Sequence, residues 1–202
     1  MIKDSAALAA LVGSRLCHDL ISPVGAIQNG LELLDLSGFA KDMPELELIR
    51  ESVVNANARI KFFRVAFGLA GDSQMMGERE IRGILRDLTA AGRVQVDWKP
   101  TKDLRRTDVQ LAFLGYLCCE AALPQGGTVR CERGETGWSV SVTAPRINFS
   151  KPHWELLNGG PGPEELGADK VQFAMLANLS TERRRRVRVH HGDTSLRMEI
   201  LD

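Results

Sequence analysis

The chain has 202 residues, 44% of them hydrophobic, and its 26 basic and 26 acidic side chains cancel to a net charge of zero. That length holds one large or two small cored domains, and the balanced charge creates no global field to recruit nucleic acid or an anionic membrane. No apolar run reaches the ~20 residues needed to span a bilayer, and the N-terminal run between Asp4 and Arg15 is too short and weak for a secretory leader. The expected compartment is the cytoplasm. There Cys17, Cys118, Cys119 and Cys131, none of them in a C-x-x-C pair, read as small reduced core residues.

Residues 4–70 carry almost no strand signal. Leu8, Val12, Leu16, Leu20, Ile27, Leu31 and Leu34 form one apolar helical stripe. Leu46, Ile49, Val53, Ala56, Ile60, Phe63, Phe67 and Ala70 form a second, a heptad seam sustained for about seven turns. Asp42 and Pro44 suit the start of the second helix, Gly68 and Gly71 its end. The connection, roughly 37–43, is short enough to make the two helices antiparallel neighbours. Two helices alone cannot enclose a core, so the hairpin is expected to pair with a second copy as a dimeric four-helix bundle.

From about residue 78 the texture becomes mixed. The patterns predict helices over 78–91, 106–123 and 168–180, and strands over 94–98, 128–133 and 138–143. Further alternation marks 187–189 and 196–200, with a hairpin turn over 134–137 and a loop over 158–163. The expected organisation is a hairpin over 1–74 and an α/β domain over 75–202, an α+β fold overall. Trp98 and Trp138 read as core. His153 reads as a loop residue and His190-His191 as strand residues, all without partners at metal-ligand spacing. The arginines from Arg183 to Arg186 read as a solvated strand edge.

His18 faces away from the first apolar stripe, about 200° round the helix from Leu16 and Leu20. Its lane along the helix is Ser14, His18, Ser22, Gly25 and Asn29, small residues around one projecting imidazole, which leaves room for another protein to approach. Pro23 removes a backbone hydrogen bond one turn further on and bends the helix there. Asp19 is placed to steady the imidazole, and Arg15, one turn earlier, to add positive charge nearby.

The run His18-Asp19-Leu20-Ile21-Ser22-Pro23-Val24, continued by Ala26-Ile27 and Gly30-Leu31-Glu32-Leu33-Leu34, resembles the phospho-acceptor box and dimerisation helix of two-component histidine kinases. The second half resembles the kinases' ATP-binding domain only as a shell. Where that family carries N-x-x-x-N-A, this chain has Tyr116-Leu117-Cys118-Cys119-Glu120-Ala121. Where it carries D-x-G-x-G, this chain has Ala144-Pro145-Arg146-Ile147-Asn148. Its glycine-rich phosphate loop corresponds to Gly167-Ala168-Asp169-Lys170-Val171-Gln172, in which one glycine survives. ATP binding is not expected.

A phospho-acceptor hairpin joined to a degenerate nucleotide domain is similar to the alphaproteobacterial histidine phosphotransferases of the ChpT type. The resemblance implies a phosphorelay protein. His18 would take a phosphoryl group from the receiver domain of a hybrid histidine kinase and pass it to response regulators, CtrA-like and CpdR-like. His18 and Asp19 would be the catalytic residues, and Ser14, Arg15, Ser22, Gly25 and Asn29 the docking residues. Neutral imidazole is the nucleophile. The receiver brings Mg²⁺, so the chain itself is expected to hold no cofactor and no metal. The competing expectation is a non-catalytic dimeric interaction module acting on two-component proteins.

Overall fold

The computed structural model describes residues 5–37, 44–71, 73–90 and 92–202, without the side chains of residues 5–11, Ser14, Cys17, His18, Ile21, Gln28, Asp35 and Ser37. The two long apolar repeats become α1 (Ser5–Ser37) and α2 (Pro44–Ala66), which pack against each other along their length. Pro44 is the first residue of α2, as its fixed φ favours. Asp42 and the rest of the connection before Pro44 lie outside the described residues. Gly30 is buried where the helices cross, and a side chain there would collide with Ile49 of α2. Pro23 sits inside α1 and is buried.

Neither apolar stripe is fully covered. Leu16, Leu20, Ile27 and Leu34 are half-buried, while Leu31 is exposed. On α2, Ala56 and Phe63 are buried, but Leu46, Val53 and Ile60 are 40–48% exposed. One hairpin covers one face of each helix, and the remainder of the seam is open.

The rest of the chain is a two-layer α/β sandwich. A five-stranded sheet in the order β2-β4-β5-β7-β6 is built from β2 (Val94–Trp98), β4 (Gly127–Gly134), β5 (Gly137–Thr143), β6 (Arg186–His191) and β7 (Ser195–Leu201). β2 runs parallel to β4 and the other pairs are antiparallel. Val129, Cys131, Trp138, Val140, Val142, Leu196, Met198 and Ile200 point inward and are buried. Alternate positions, such as Arg130 and Arg197, face water, so the sheet is covered on one side only. Gly137, at φ +139°, closes the β4–β5 hairpin in a conformation that L side chains rarely adopt.

The covering layer holds α3 (Glu78–Thr89), α4 (Arg106–Glu120), α5 (Lys151–Leu157) and α6 (Val171–Glu182), with a short antiparallel pair of β1 (Met75–Met76) and β3 (Leu104–Arg105). Central α4 has hardly an exposed residue, because it touches the sheet beneath, α6 beside it and α2 above. Phe62 of α2 is fully buried, stacked on Phe113 at 4.6 Å and edge-on to Tyr116 at 5.8 Å. The end of α2 therefore belongs to the same core as α4.

Three sequence expectations are corrected. The helix over 168–180 starts as a 3₁₀ turn, Ala168–Lys170, before α6. His153 lies in α5 rather than a loop, bonded to Ser150 Oγ through Nδ1 at 2.7 Å. The arginine run is not simply a solvated edge. Arg183 donates to the Thr107 carbonyl at 2.8 Å and to Gln110 Oε1 at 2.6 Å, and Arg185 pairs with Asp108 and Asp202. Of the four, Arg184 and Arg186 face water.

Candidate phospho-acceptor site

His18 lies in mid-α1, about a turn and a half before Pro23; its imidazole, like the Ser14 hydroxyl, is outside the described side chains. The rest of the predicted lane is open. Ser22 and Asn29 are exposed, and Gly25 has free space where a Cβ would stand. Ser22 and Pro23 also line a groove of about 590 Å³ between α1, α2 and the end of α3, whose opposite wall includes Ser52, Asn55 and Asp87.

Asp19 lines that groove as well, and with Arg15 it also lines the junction on the other side. Successive residues are about 100° apart on a helix, so Asp19 sits a quarter-turn round from His18, toward α2 and α4. Asp19 is 9% exposed. Its Oδ2 accepts from Arg15 Nε at 2.6 Å and lies 3.8 Å from Arg59 Nη1. Arg15 also donates through Nη1 to the Asp169 carbonyl oxygen at 2.7 Å, spanning 154 positions of sequence. Arg59 is held by Asn55 Oδ1 at 3.0 Å.

This junction encloses a second cavity of about 420 Å³, whose walls include Arg15, Asp19, Arg59, Arg93, Tyr116 and Glu120. Tyr116 donates its hydroxyl to Glu120 Oε1 at 3.2 Å. Burial pushes the Glu120 carboxyl up; the Tyr116 hydrogen bond and the charges of Arg15 and Arg59 pull it back, and Asp19 adds to the rise. Asp169 is held below the usual carboxylate range chiefly by its hydrogen bond with Lys170, with Arg15 contributing. Tyr116, Glu120 and Asp169 stand where the kinase resemblance places nucleotide-binding residues. Here Tyr116 and Glu120 line the cavity beside Arg15 and Asp19, and the main-chain oxygen of Asp169 accepts from Arg15.

Sequence reasoning noted Tyr116 and Glu120 only as losses and did not single out Arg59. The alternation of α2 placed Arg59 beside seam positions, but only the packing shows what it faces. The remaining nucleotide positions are also filled differently. Ala144 is buried, Arg146 and Asn148 are exposed, and the Asn148 backbone N–H donates to the Ala122 carbonyl at 2.9 Å. Among the described residues no group of three or more His, Cys, Asp or Glu side chains is arranged to hold a metal ion. Cys118, Cys119 and Cys131 are free and buried, as expected; the Cys17 side chain lies outside the described residues.

Residues 78–195 match the family model of the histidine phosphotransferase C-terminal domain. The chain belongs to the histidine phosphotransferases. It is 34% identical over 189 residues to the protein phosphotransferase ChpT of Brucella abortus (strain 2308), covering 91% of this chain and 90% of that protein. It is also similar to a bacterial phosphotransferase solved at 1.7 Å, with a TM-score of 0.82 and 29% identity over 99% of this chain and 98% of that one. The likeness spans both the hairpin and the α/β sandwich. The chain is thus a histidine phosphotransferase of a phosphorelay. Among the described residues no helix is long and apolar enough to cross a membrane.

Proposed function

We propose that this histidine phosphotransferase carries its phosphoryl group on His18, taking it from the aspartyl phosphate of one receiver domain and delivering it to the aspartate of another. The observation that carries the reading is the acceptor box on α1, whose outward lane of Ser22, Gly25 and Asn29 is open beside a groove. In the loading step a neutral imidazole nitrogen forms the N–P bond while the P–O bond to the receiver's carboxylate breaks. In the unloading step the second receiver's carboxylate attacks and the imidazole leaves. The receiver supplies Mg²⁺ and the cationic side chain that neutralise the equatorial oxygens, and this chain contributes the nucleophile and its placement. It uses no ATP, because the positions that would hold nucleotide are occupied by Tyr116, Glu120 and Asp169 acting within the protein.

Residues 1–74 form the acceptor and dimerisation unit, and 75–202 the unit that completes the docking face. The exposed Leu31, Leu46, Val53 and Ile60 are covered by a second copy, giving a homodimeric four-helix bundle. The donor is the receiver of a hybrid histidine kinase, the acceptors are CtrA-like and CpdR-like response regulators, and the relay works in the cytoplasm without nucleic acid or membrane.

The test incubates this chain with a radiolabelled phospho-receiver and follows label by gel. Wild type should take up acid-labile, base-stable phosphate and His18→Gln should take up none. Normal labelling of His18→Gln would remove His18 from the reaction, and absence of transfer from every receiver tried would leave a dimeric interaction module. Labelling from ATP alone would overturn the exclusion of nucleotide.

A further inference from the structure

We propose that Arg15 is a positioning residue that locks the His18 turn of α1 to the α/β domain, so that a receiver meets one rigid composite surface rather than two independent ones. This rests on the assignment of His18 as the phosphoryl carrier. Arg15 has one guanidinium and two acceptors on opposite sides of the junction. Nε holds Asp19, on its own helix and next to His18, while Nη1 holds the Asp169 carbonyl in the 3₁₀ turn before α6. Its side chain is only 14% exposed and that of Asp19 is 7%, so the Arg15–Asp19 half of the fork is largely buried, while the bond to the Asp169 carbonyl lies at the surface of the junction.

Two features make this a device for placement rather than general adhesion. Residues 15, 18 and 19 lie within little more than one helical turn, so whatever fixes Arg15 and Asp19 fixes the backbone that carries His18. The bond to the α/β domain ends on a main-chain oxygen, which makes it independent of the side chain at 169 and sensitive to the position of the turn itself. A planar guanidinium satisfies two acceptors in fixed directions, whereas an ammonium is a single point charge on a flexible stem. Arg59, Glu120 and Tyr116 surround the pair and complete the charged lining. Phosphoryl transfer depends mainly on positioning, and small misplacements cost large factors in rate. The consequence of losing the fork is therefore a slower chemical step, not weaker docking.

The experiment compares wild type, Arg15→Gln, Arg15→Lys and His18→Gln as full-length chains, measuring transfer from a phospho-receiver over a range of receiver concentrations. Arg15→Gln should lower the maximal rate about tenfold and Arg15→Lys by a similar factor, with the half-saturating concentration changed less than about twofold. Hydrogen exchange should quicken in peptides covering 164–172 of Arg15→Gln and stay unchanged in the sheet strands. Should Arg15→Gln fail to fold, Arg15→Lys, which keeps the charge, carries the same test. A wild-type maximal rate in both variants, or a loss confined to the half-saturating concentration, overturns the positioning role; the latter would make Arg15 a docking contact. Labelling of His18→Gln would instead remove the functional assignment beneath it, whatever the Arg15 variants do.

Discussion

Replacing Gln110 with leucine should unseat the end of α2. Gln110 is 1% exposed at the start of α4, and its amide donates to the carbonyls of Ala66 at 3.2 Å and Gly68 at 2.8 Å. Those oxygens lie at the C-terminus of α2, where no further helical turn supplies donors. Its own Oε1 accepts from Arg183 at 2.6 Å. Leucine has nearly the same volume and no polar atoms, so all three bonds vanish without a large cavity. Two neutral bonds at about 1 kcal/mol each and one to a charged donor at about 2 kcal/mol sum to about 4 kcal/mol, offset by about 1 kcal/mol of added apolar burial. The net cost is about 3 kcal/mol. With a urea m-value of about 2 kcal/mol/M, the unfolding midpoint of Gln110→Leu should fall by about 1.5 M at unchanged m. A shift below about 0.5 M would show that these carbonyls are satisfied without Gln110 and that the junction does not depend on it.

Phe62→Ala should cost about 3–5 kcal/mol in the same assay, since the ring is fully buried and stacked on Phe113; a loss under about 1 kcal/mol would show that α2 does not share the α4 core. Arg184 sits at φ +57° just after α6, the left-handed position where glycine is favoured, so Arg184→Gly should raise stability by about 1 kcal/mol; a loss would mean that the side chain is anchored. Burial pushes the thiols of Cys118 and Cys119 well up and that of Cys131 to about 12, so at about pH 8 a thiol reagent should label them only after urea is added; labelling of the native chain would show that the core opens without denaturant. Glu120 titrates above its ordinary value of 4.5, so its folded state favours the proton, and the stability this gives is present at low pH and lost as pH rises through the raised value. Glu120→Gln should therefore gain stability relative to wild type at about pH 8 compared with about pH 5, and an equal or reversed difference in urea midpoints refutes the sign.

Elements whose signal is local were legible in the sequence. In the β4–β5 hairpin, period-two burial on both strands meets Gly134 and Gly137 at the ends, so strand and turn emerge together. Helix α1 is another case, since its apolar stripe is a one-helix pattern. Elements defined by distant partners were not legible. β1 and β3 have two residues each and exist only because Met75 and Met76 pair with Arg105 and Leu104. The seven residues of α5 fell between loop signals. Asp19 shows what only packing reveals: adjacency to His18 in sequence said nothing of Arg59, 40 positions away, which lies 3.8 Å from its carboxylate.

A net charge of zero says nothing of where the charges work. Arg15, Arg106 and Arg183 each donate to a main-chain carbonyl on an element distant in sequence: Asp169, Arg64 and Thr107 respectively. Together they join α1 to the turn before α6, α2 to α4, and the end of α6 to the start of α4. An apolar contact at these places would hold the elements together but resist sliding weakly, because hydrophobic burial is non-directional. A guanidinium fork is directional and loses its bonds when either side shifts. Directional ties across these junctions therefore fix the spacing of the hairpin and the α/β domain where added apolar area would not.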